Sequence, residues 1–164
     1  MNEAYSEWLV KRKPPVYAIA VKAVMIVLCI IAVFLSLTTV FGVIVLLVVG
    51  ALTFFVFQNM NLEYEYLYVN GQLSIDKIMG RARRKQVWEG NMETIQFVAP
   101  SDSYMLKDYE TSDMKVVDYS SGQTGVKTYS MISKSGGNTT KVIFEPNERM
   151  LHCMRQMHPR KVVQ

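Results

Sequence analysis

The stretch from Val16 to Gln58, VYAIAVKAVMIVLCIIAVFLSLTTVFGVIVLLVVGALTFFVFQ, decides the architecture of this chain. It is almost entirely apolar, and Lys22 is its only charged residue. A single helix of roughly 43 residues would be about 64 Å long, whereas the hydrocarbon core of a bilayer is about 30 Å thick. Because backbone that faces lipid must be helical, this length predicts two membrane-spanning helices.

A polar interruption between Ser36 and Thr39 breaks the apolar run, and Gly42 follows it. We therefore predict helices over residues 16–36 and 40–58, joined by an uncharged turn of a few residues. The double length also excludes a secretory signal peptide, which has one short apolar core.

Lys22 lies about two helical turns inside the first predicted span. A lysine at the bilayer centre costs about 2.5–3.5 kcal/mol on insertion scales, but near a helix end its amine reaches the headgroups. Neither span contains an Asp or Glu that could pair with it. We therefore predict that Lys22 is an interface anchor, and an intramembrane functional site is the alternative.

Composition divides the chain into two parts. Half of the residues are hydrophobic and 20% are charged, yet the long apolar runs fall almost entirely within the first 59 residues. The remainder has an ordinary soluble composition and is long enough to bury a core of its own. The net charge of +4 is shared about equally between the two parts, so neither has the basic field of a nucleic-acid-binding protein.

The residues before the first span form a short preface, residues 1–15. Tyr5, Trp8 and Leu9 fall on one face of a helix, which predicts an amphipathic helix lying in the membrane interface. A basic run and two prolines then lead into the span. The predicted interface anchors are Tyr5, Trp8, Lys11, Arg12, Lys13 and Lys22.

The same basic run predicts the topology. Cytoplasmic flanks of membrane helices carry an excess of Lys and Arg, and the other end of the first span has no charge. We therefore expect the N-terminus to be cytoplasmic in the cell membrane. Two crossings return the chain to the same side, so the C-terminus is expected there too.

After the hairpin of residues 16–59 the hydrophobic period changes to two. Residues 62–69 alternate with three tyrosines on one face, which predicts a strand, and Asn70-Gly71 is a strong hairpin signal. Further strands are predicted to about Met79, over residues 83–88 and over residues 93–98. Three successive hairpin connections predict an antiparallel meander of four strands.

Three more strands are predicted in the C-terminal half, over residues 114–119, 126–133 and 139–145. Pro146 suits the first position of a helix, and Met150, Leu151, Met154 and Met157 recur at helical spacing after it. We expect this methionine-rich face to pack on the sheet. We also expect the domain of residues 60–164 to fold without the hairpin, starting at about Asn61.

Seven short strands followed by one amphipathic helix is the order of a pleckstrin-homology-like (PH-like) domain. The predicted class is thus an α+β membrane protein, in which a transmembrane hairpin precedes an antiparallel β-barrel or sandwich. The C-terminal helix is expected to cap one open end of the barrel.

Particular residues also resemble a known family. YLYVNGQLSI at residues 66–75, followed by Gly80, Arg83-Arg84 and Trp88, resembles the opening hairpins of bacterial PH-like domains, which often follow two transmembrane helices. The whole chain, including YSEWLVKRK at 5–13 and FEPNE at 144–148, is similar to a family of small two-pass bacterial membrane proteins that carries no known activity. The resemblance implies a fold and a location, and no catalytic residue.

The sequence offers no catalytic constellation and no cofactor site. His152 and His158 are six residues apart, too far around a helix to share one face as metal ligands, although Cys153 adjoins the first. Ser120, Ser121 and Cys153 lack any nucleophile motif, and no phosphate-binding glycine loop is present. We therefore predict that the protein is not an enzyme and binds neither a metal nor a cofactor.

One charge cluster remains, and we call it the basic cluster: Arg81, Arg83, Arg84 and Lys85. Basic residues near an anionic leaflet are attracted to it by about 1 kcal/mol each, so a lipid or partner contact is one interpretation. The other is a charged strand edge that prevents aggregation.

The leading functional hypothesis is a membrane-tethered scaffold or protein-interaction module. The alternatives are an anionic-lipid sensor that uses the basic cluster and an accessory subunit of a membrane enzyme complex. The expected partners are the lipid bilayer and a protein partner or a second copy of the chain.

Overall fold

The computed structural model describes residues 5–81 and 83–163. Within these ranges the chain forms three α-helices and eight β-strands, and it divides into two compact units. The helical unit runs from Lys13 to Leu62 and also includes Met79–Arg83. The rest of the described chain forms the β unit.

The helical unit is built from the predicted hairpin. Helix α1 spans Ala18–Thr38 and helix α2 spans Val40–Met60. Thr39 between them is extended, and its side-chain oxygen accepts a hydrogen bond from the Gly42 amide at 3.2 Å, capping α2. The two predicted helices and the turn between them are confirmed.

The two helices approach each other closely next to this turn. A Cβ at Gly42 would lie 2.1 Å from the carbonyl oxygen of Leu35, so no side chain fits there. Farther along the pair, Cys29 Sγ and Thr53 Oγ1 lie 3.3 Å apart, within hydrogen-bonding distance. Gly42 therefore sets how tightly the hairpin closes.

The residues that the structure describes leave most of the apolar surface of α1 and α2 uncovered. Each helix has a mean hydropathy of 2.9 over its most apolar 18-residue window, yet only 11% of that window in α1 and 6% in α2 is buried. A core helix of a soluble protein would be mostly enclosed. Both helices are long and apolar enough to cross a bilayer, which is consistent with a two-pass membrane protein.

The first sheet of the β unit has the strand order β1-β2-β3-β4. Its strands are β1 at Tyr5–Lys11, β2 at Leu62–Val69, β3 at Gln72–Met79 and β4 at Arg83–Asn91. The amphipathic helix predicted for the preface is therefore wrong over residues 5–11, which form a strand; its first four residues lie outside the described range. The buried residues of β1 are Ser6 and Val10, which are four residues apart and therefore lie on the same face of the strand.

Strand β1 precedes the membrane hairpin and its partner β2 follows it. All seven residues of β1 pair antiparallel with β2, from Tyr5 opposite Val69 to Lys11 opposite Glu63. Because paired strands must lie on the same side of a membrane, the segments on both flanks of the hairpin lie on one side. The sequence placed the start of the domain at residue 60, whereas the first sheet also takes a strand from before the hairpin.

The tyrosine alternation in β2 builds the core as predicted. Tyr64, Tyr66 and Tyr68 are buried, and Tyr66 donates a hydrogen bond to the carbonyl of Tyr119 at 2.6 Å. At the following turn, Asn70 and Gly71 have φ values of 47° and 89°. Two successive positive φ values are what a type I′ hairpin requires, so Asn-Gly closes β2 onto β3 without strain.

The second sheet has the order β5-β7-β8-β6. Its strands are β5 at Ile95–Pro100, β6 at Lys115–Asp118, β7 at Tyr129–Ser135 and β8 at Asn138–Phe144, and a short 3₁₀ helix spans Tyr104–Asp108. The predicted meander is wrong in its fourth strand, because β5 pairs with β7 rather than with β4. Strand β6 runs parallel to β8, so the two sheets form an unclosed sandwich with one parallel pair.

Helix α3, Glu148–Met157, packs on the core. Met150, Leu151 and Met154 are buried as predicted, whereas Met157 is 42% exposed. Asn147, rather than Pro146, begins the helix, because its Oδ1 accepts a hydrogen bond from the Met150 amide at 2.8 Å. Beyond α3, Val162 forms a parallel bridge with Val98, which attaches the C-terminal segment to β5.

Candidate functional site

The basic cluster begins in the turn between β3 and β4. Gly80 and Arg81 both have positive φ values, 57° and 58°. The Gly80 amide donates a hydrogen bond to the carbonyl of Asn61 at 2.9 Å, and a Cβ at Gly80 would lie 2.8 Å from Cγ of Gln58. The turn therefore rests against the last residues of α2, where the chain leaves the helix.

Arg81 lies in this turn and Arg83, Arg84 and Lys85 follow it; all four side chains are exposed. Arg84 makes an ion pair with Glu65 at 2.6 Å and lies 3.9 Å from Asp76. Part of its charge is thus neutralised across the first sheet. The chain places the four residues in succession at the turn and the start of β4, as the sequence implies.

Carboxylates surround Arg84 on the outer face of the first sheet. Burial raises the pKa of the Glu65 carboxyl, an effect that Arg84 opposes. Beside it, the hydroxyl of Tyr5 donates to Oε2 of Glu7 at 2.6 Å, which lowers the pKa of Glu7 and raises that of Tyr5. This polar network joins β1, β2, β3 and β4, and sequence reasoning missed it because it depends on which strands are neighbours.

The outer face also carries exposed apolar side chains. Tyr5, Leu9 and Val69 are 44%, 48% and 37% exposed. Tyr5 and Val69 lie directly opposite each other, and Leu9 lies two positions beyond Glu7 on the same face. Exposed aromatic and aliphatic side chains of this kind, set among charged groups, are typical of protein contact surfaces.

The predicted interface anchors occupy different environments. Trp8 is half-exposed within β1, next to Glu7 and Leu9. Arg12 is held in the β unit, because its guanidinium donates to the Tyr64 hydroxyl at 2.9 Å and to the Asp118 carbonyl at 3.0 Å.

The predicted lysine anchors are Lys11, Lys13 and Lys22. Lys11 and Lys13 are exposed, and Lys13 belongs to the helical unit. In that unit Lys22 Nζ lies 5.8 Å from the centre of the Phe57 ring.

The two serine hydroxyls and the one thiol considered for catalysis make local structural contacts. Ser120 Oγ donates to Asp118 Oδ1 at 2.7 Å, and Ser121 Oγ accepts from the Gln123 amide at 3.2 Å, so both hydroxyls tighten one turn. Cys153 packs against the main core. No group of three or more His, Cys, Asp or Glu side chains within residues 5–81 and 83–163 is arranged to hold a metal ion.

Comparison with known proteins places these features in a family. The sequence matches the family described as "Bacterial PH-like domain (DUF6106)" over residues 2–164. Searches of curated proteins and of solved structures gave no significant match. The matched range includes β1, both membrane helices and the sandwich with its final helix. The chain therefore belongs to this family of bacterial PH-like domains.

Proposed function

We propose that the protein is a membrane-tethered, non-enzymatic interaction module that presents its PH-like domain to a protein partner at the cytoplasmic face. The observation that supports this most is the position of the hairpin between two paired strands. Two chain connections, one on each side of the hairpin, tie the domain to the bilayer. Such tethering raises the effective concentration of the domain for any partner in the same membrane.

The outer face of β1 and β2 is the surface on which we expect the partner to bind. Leu9 is well exposed there, and the carboxylates around it supply a polar rim. Apolar anchors surrounded by polar groups carry most of the binding energy in protein interfaces.

Affinity purification of the full chain from mild detergent tests this module. We expect a stoichiometric protein to copurify with the wild type and with Val116→Glu, an exposed apolar position on β6. The Leu9→Glu variant should no longer copurify with this protein. A partner retained by Leu9→Glu, or lost equally by both variants, would contradict the assignment of this surface.

The cytoplasmic location rests on Lys11-Arg12-Lys13 before α1. A reporter that is active only outside the cytoplasm, fused after Gln164, should remain inactive. Strong activity would reverse the orientation, and the pairing of β1 with β2 would then place both flanks of the hairpin outside.

A second candidate function, contact with anionic lipid, is favoured by the turn against α2. Because Gly80 is bonded to Asn61 at the end of a membrane-spanning helix, the cations that follow begin close to the headgroup layer. A strand rises about 3.3 Å per residue, so Lys85 lies at most about 13 Å from Arg81 along the chain. Anionic lipid would attract each cation by about 1 kcal/mol, and salt would screen the attraction beyond about 8 Å.

Vesicle binding by a domain in which Asn-Gly replaces residues 13–61 tests this contact. Replacement of Arg81, Arg83, Arg84 and Lys85 with Gln should abolish salt-sensitive binding to anionic vesicles. A control with the same change in charge replaces the exposed cations Lys107, Lys115, Lys134 and Arg160 and should retain binding. Equal binding by the two variants would leave edge protection as the role of the cluster.

A further inference from the structure

A groove of about 670 Å³ lies between α3 and the segment that leads into β7. Its volume falls within the range of about 300–1,000 Å³ that is typical of small-molecule sites. The walls carry Lys127 from the segment before β7, and Arg149 and His152 from consecutive turns of α3. The helical period places Arg149 beside His152, three residues on. Lys127 joins them only through the packing of α3 against the segment before β7.

Apolar groups lie beneath these cations. Tyr129 and Leu151 line the groove but are only 3% and 4% exposed, so just the edges of these fixed side chains reach it, beside the half-buried Pro146. Lys127 Nζ lies 5.4 Å from the centre of the Tyr129 ring. The groove thus joins a positive rim to an apolar floor.

The charges of the rim are not balanced within the domain. Neither Lys127 nor Arg149 forms an ion pair with a residue in the described ranges. Glu148 is the one carboxylate among the lining residues, and Asp102 lines a separate, smaller groove on which Lys127 also borders. Lys127, Arg149 and Glu148 together leave one formal positive charge in excess, which matches a monoanion better than a polyphosphate.

We propose that this groove binds a small organic monoanion. Its carboxylate or phosphodiester group lies between Lys127 and Arg149, and its apolar body rests against Pro146 and the accessible edges of Tyr129 and Leu151. Such a group occurs both in soluble carboxylic acids and in the phosphodiester headgroup of a membrane lipid. This site differs from the basic cluster and does not depend on the proposed partner or lipid contacts.

Histidine ring resonances of the full chain in neutral-lipid nanodiscs provide a specific readout, because the chain has two histidines. His152 lines the groove, whereas His158 lies beside the β2–β3 turn, where a Cβ at Gly71 would be 3.9 Å from its Nε2. Titration with benzoate should shift the His152 signal and leave that of His158 unchanged. Acetate, which lacks the ring, and benzyl alcohol, which lacks the charge, should each bind at least roughly tenfold more weakly.

Variants then test the cations. Lys127→Gln and Arg149→Gln should each weaken benzoate binding by about tenfold to a hundredfold, since each removes a charge-assisted contact. Arg160→Gln, an exposed cation outside the groove, should leave the affinity unchanged. The unchanged His158 signal reports that each variant is folded.

The source of the anion is tested by changing the lipid. If the natural ligand is a lipid headgroup, phosphatidylglycerol nanodiscs should weaken benzoate binding through competition, and glycerophosphoglycerol should shift His152. If it is a soluble acid, benzoate affinity should be the same in both nanodiscs. The proposal is overturned if benzoate leaves His152 unshifted, if it shifts both histidines alike, or if acetate and benzyl alcohol bind as tightly as benzoate.

Discussion

Strand β1 should be indispensable to the PH-like domain even though the membrane hairpin separates it from the rest. Two shortened proteins without the membrane hairpin test this. One replaces residues 13–61 with Asn-Gly and so keeps β1 next to β2, because a two-residue turn of this type suits an antiparallel pair. The other starts at Asn61 and lacks β1.

The loss of stability without β1 can be estimated from the contacts of β1 and of Arg12, the residue that follows it. Val10 is 5% exposed in the main core, and burying a valine stabilises a protein by about 1.5–3 kcal/mol. Arg12 donates two hydrogen bonds, to Tyr64 and Asp118, and bonds from a charged group contribute about 1.5–3 kcal/mol each. Their loss removes about 5 kcal/mol or more, which is comparable with the total stability of a typical domain, about 5–15 kcal/mol.

Urea unfolding followed by circular dichroism, together with proton–nitrogen correlation spectra, measures the difference. The protein that keeps β1 should give dispersed spectra and a cooperative transition. The fragment from Asn61, which the sequence alone predicts to fold, lacks β1 and should be largely unfolded or should unfold at much lower urea. If both proteins are equally stable and equally dispersed, β1 is not part of the fold and the reasoning from Val10 and Arg12 is refuted.

Three further predictions follow from individual contacts. Gly42→Ala should destabilise the hairpin in micelles by about 1–3 kcal/mol through overpacking against Leu35, whereas Gly50→Ala, where no atom of the described residues lies within 4 Å, should not; equal thermal shifts would contradict this. Burial raises the pKa of Tyr66 and raises that of Tyr68 to about 12, so the stability contributed by these protonated phenols is complete below about pH 10 and is lost as pH rises towards 12. The urea midpoint of the wild type should fall between about pH 10 and pH 12, and that of a variant with Phe at both positions should fall less. An equal fall in the variant would mean that other groups cause the pH dependence. Asn147→Ala should cost about 1 kcal/mol by uncapping α3, while exposed Asn138→Ala should cost less; the reverse order in chemical denaturation would argue against the cap.

Local patterns in the sequence predict much of this fold. The length of the apolar run requires two helices, and the period-two tyrosines of β2 with Asn70-Gly71 require a hairpin. The spacing of Met150, Leu151 and Met154 places a helix face on the core. Each of these signals lies within a window of about ten to forty residues, where helix length, strand period and turn chemistry act directly.

Long-range pairing is what the sequence does not reveal. Tyr5, Trp8 and Leu9 match a helical face, yet β1 gains all seven of its backbone pairings from β2, on the far side of the hairpin. Once tertiary pairing is available, it overrides a weak local preference. The parallel pairing of β6 with β8 is hidden for the same reason.

The candidate sites divide in the same way. The four cations of the basic cluster fall within five residues of sequence and are therefore visible, but the contact of the preceding Gly80 with the end of α2 is not. The groove between α3 and β7 adds Lys127 to Arg149 and His152, and no spacing rule connects Lys127 with the helix. Sites built by packing appear only in the folded chain.

The pairing of β1 with β2 across the membrane hairpin is the feature on which this architecture depends most directly. Glu7→Cys with Leu67→Cys, in a full chain whose Cys29 and Cys153 are Ser, places two thiols on directly opposite residues. Such pairs lie about 4.5–5.5 Å apart, within the range for a disulfide. Leu9→Cys with Val69→Cys, on the same strands and face but about 13 Å out of register, is the control. After mild oxidation in native membranes, mass spectrometry should find the first pair cross-linked and the second not. No cross-link in the first pair, or equal cross-linking in both, would contradict the pairing of these strands across the hairpin.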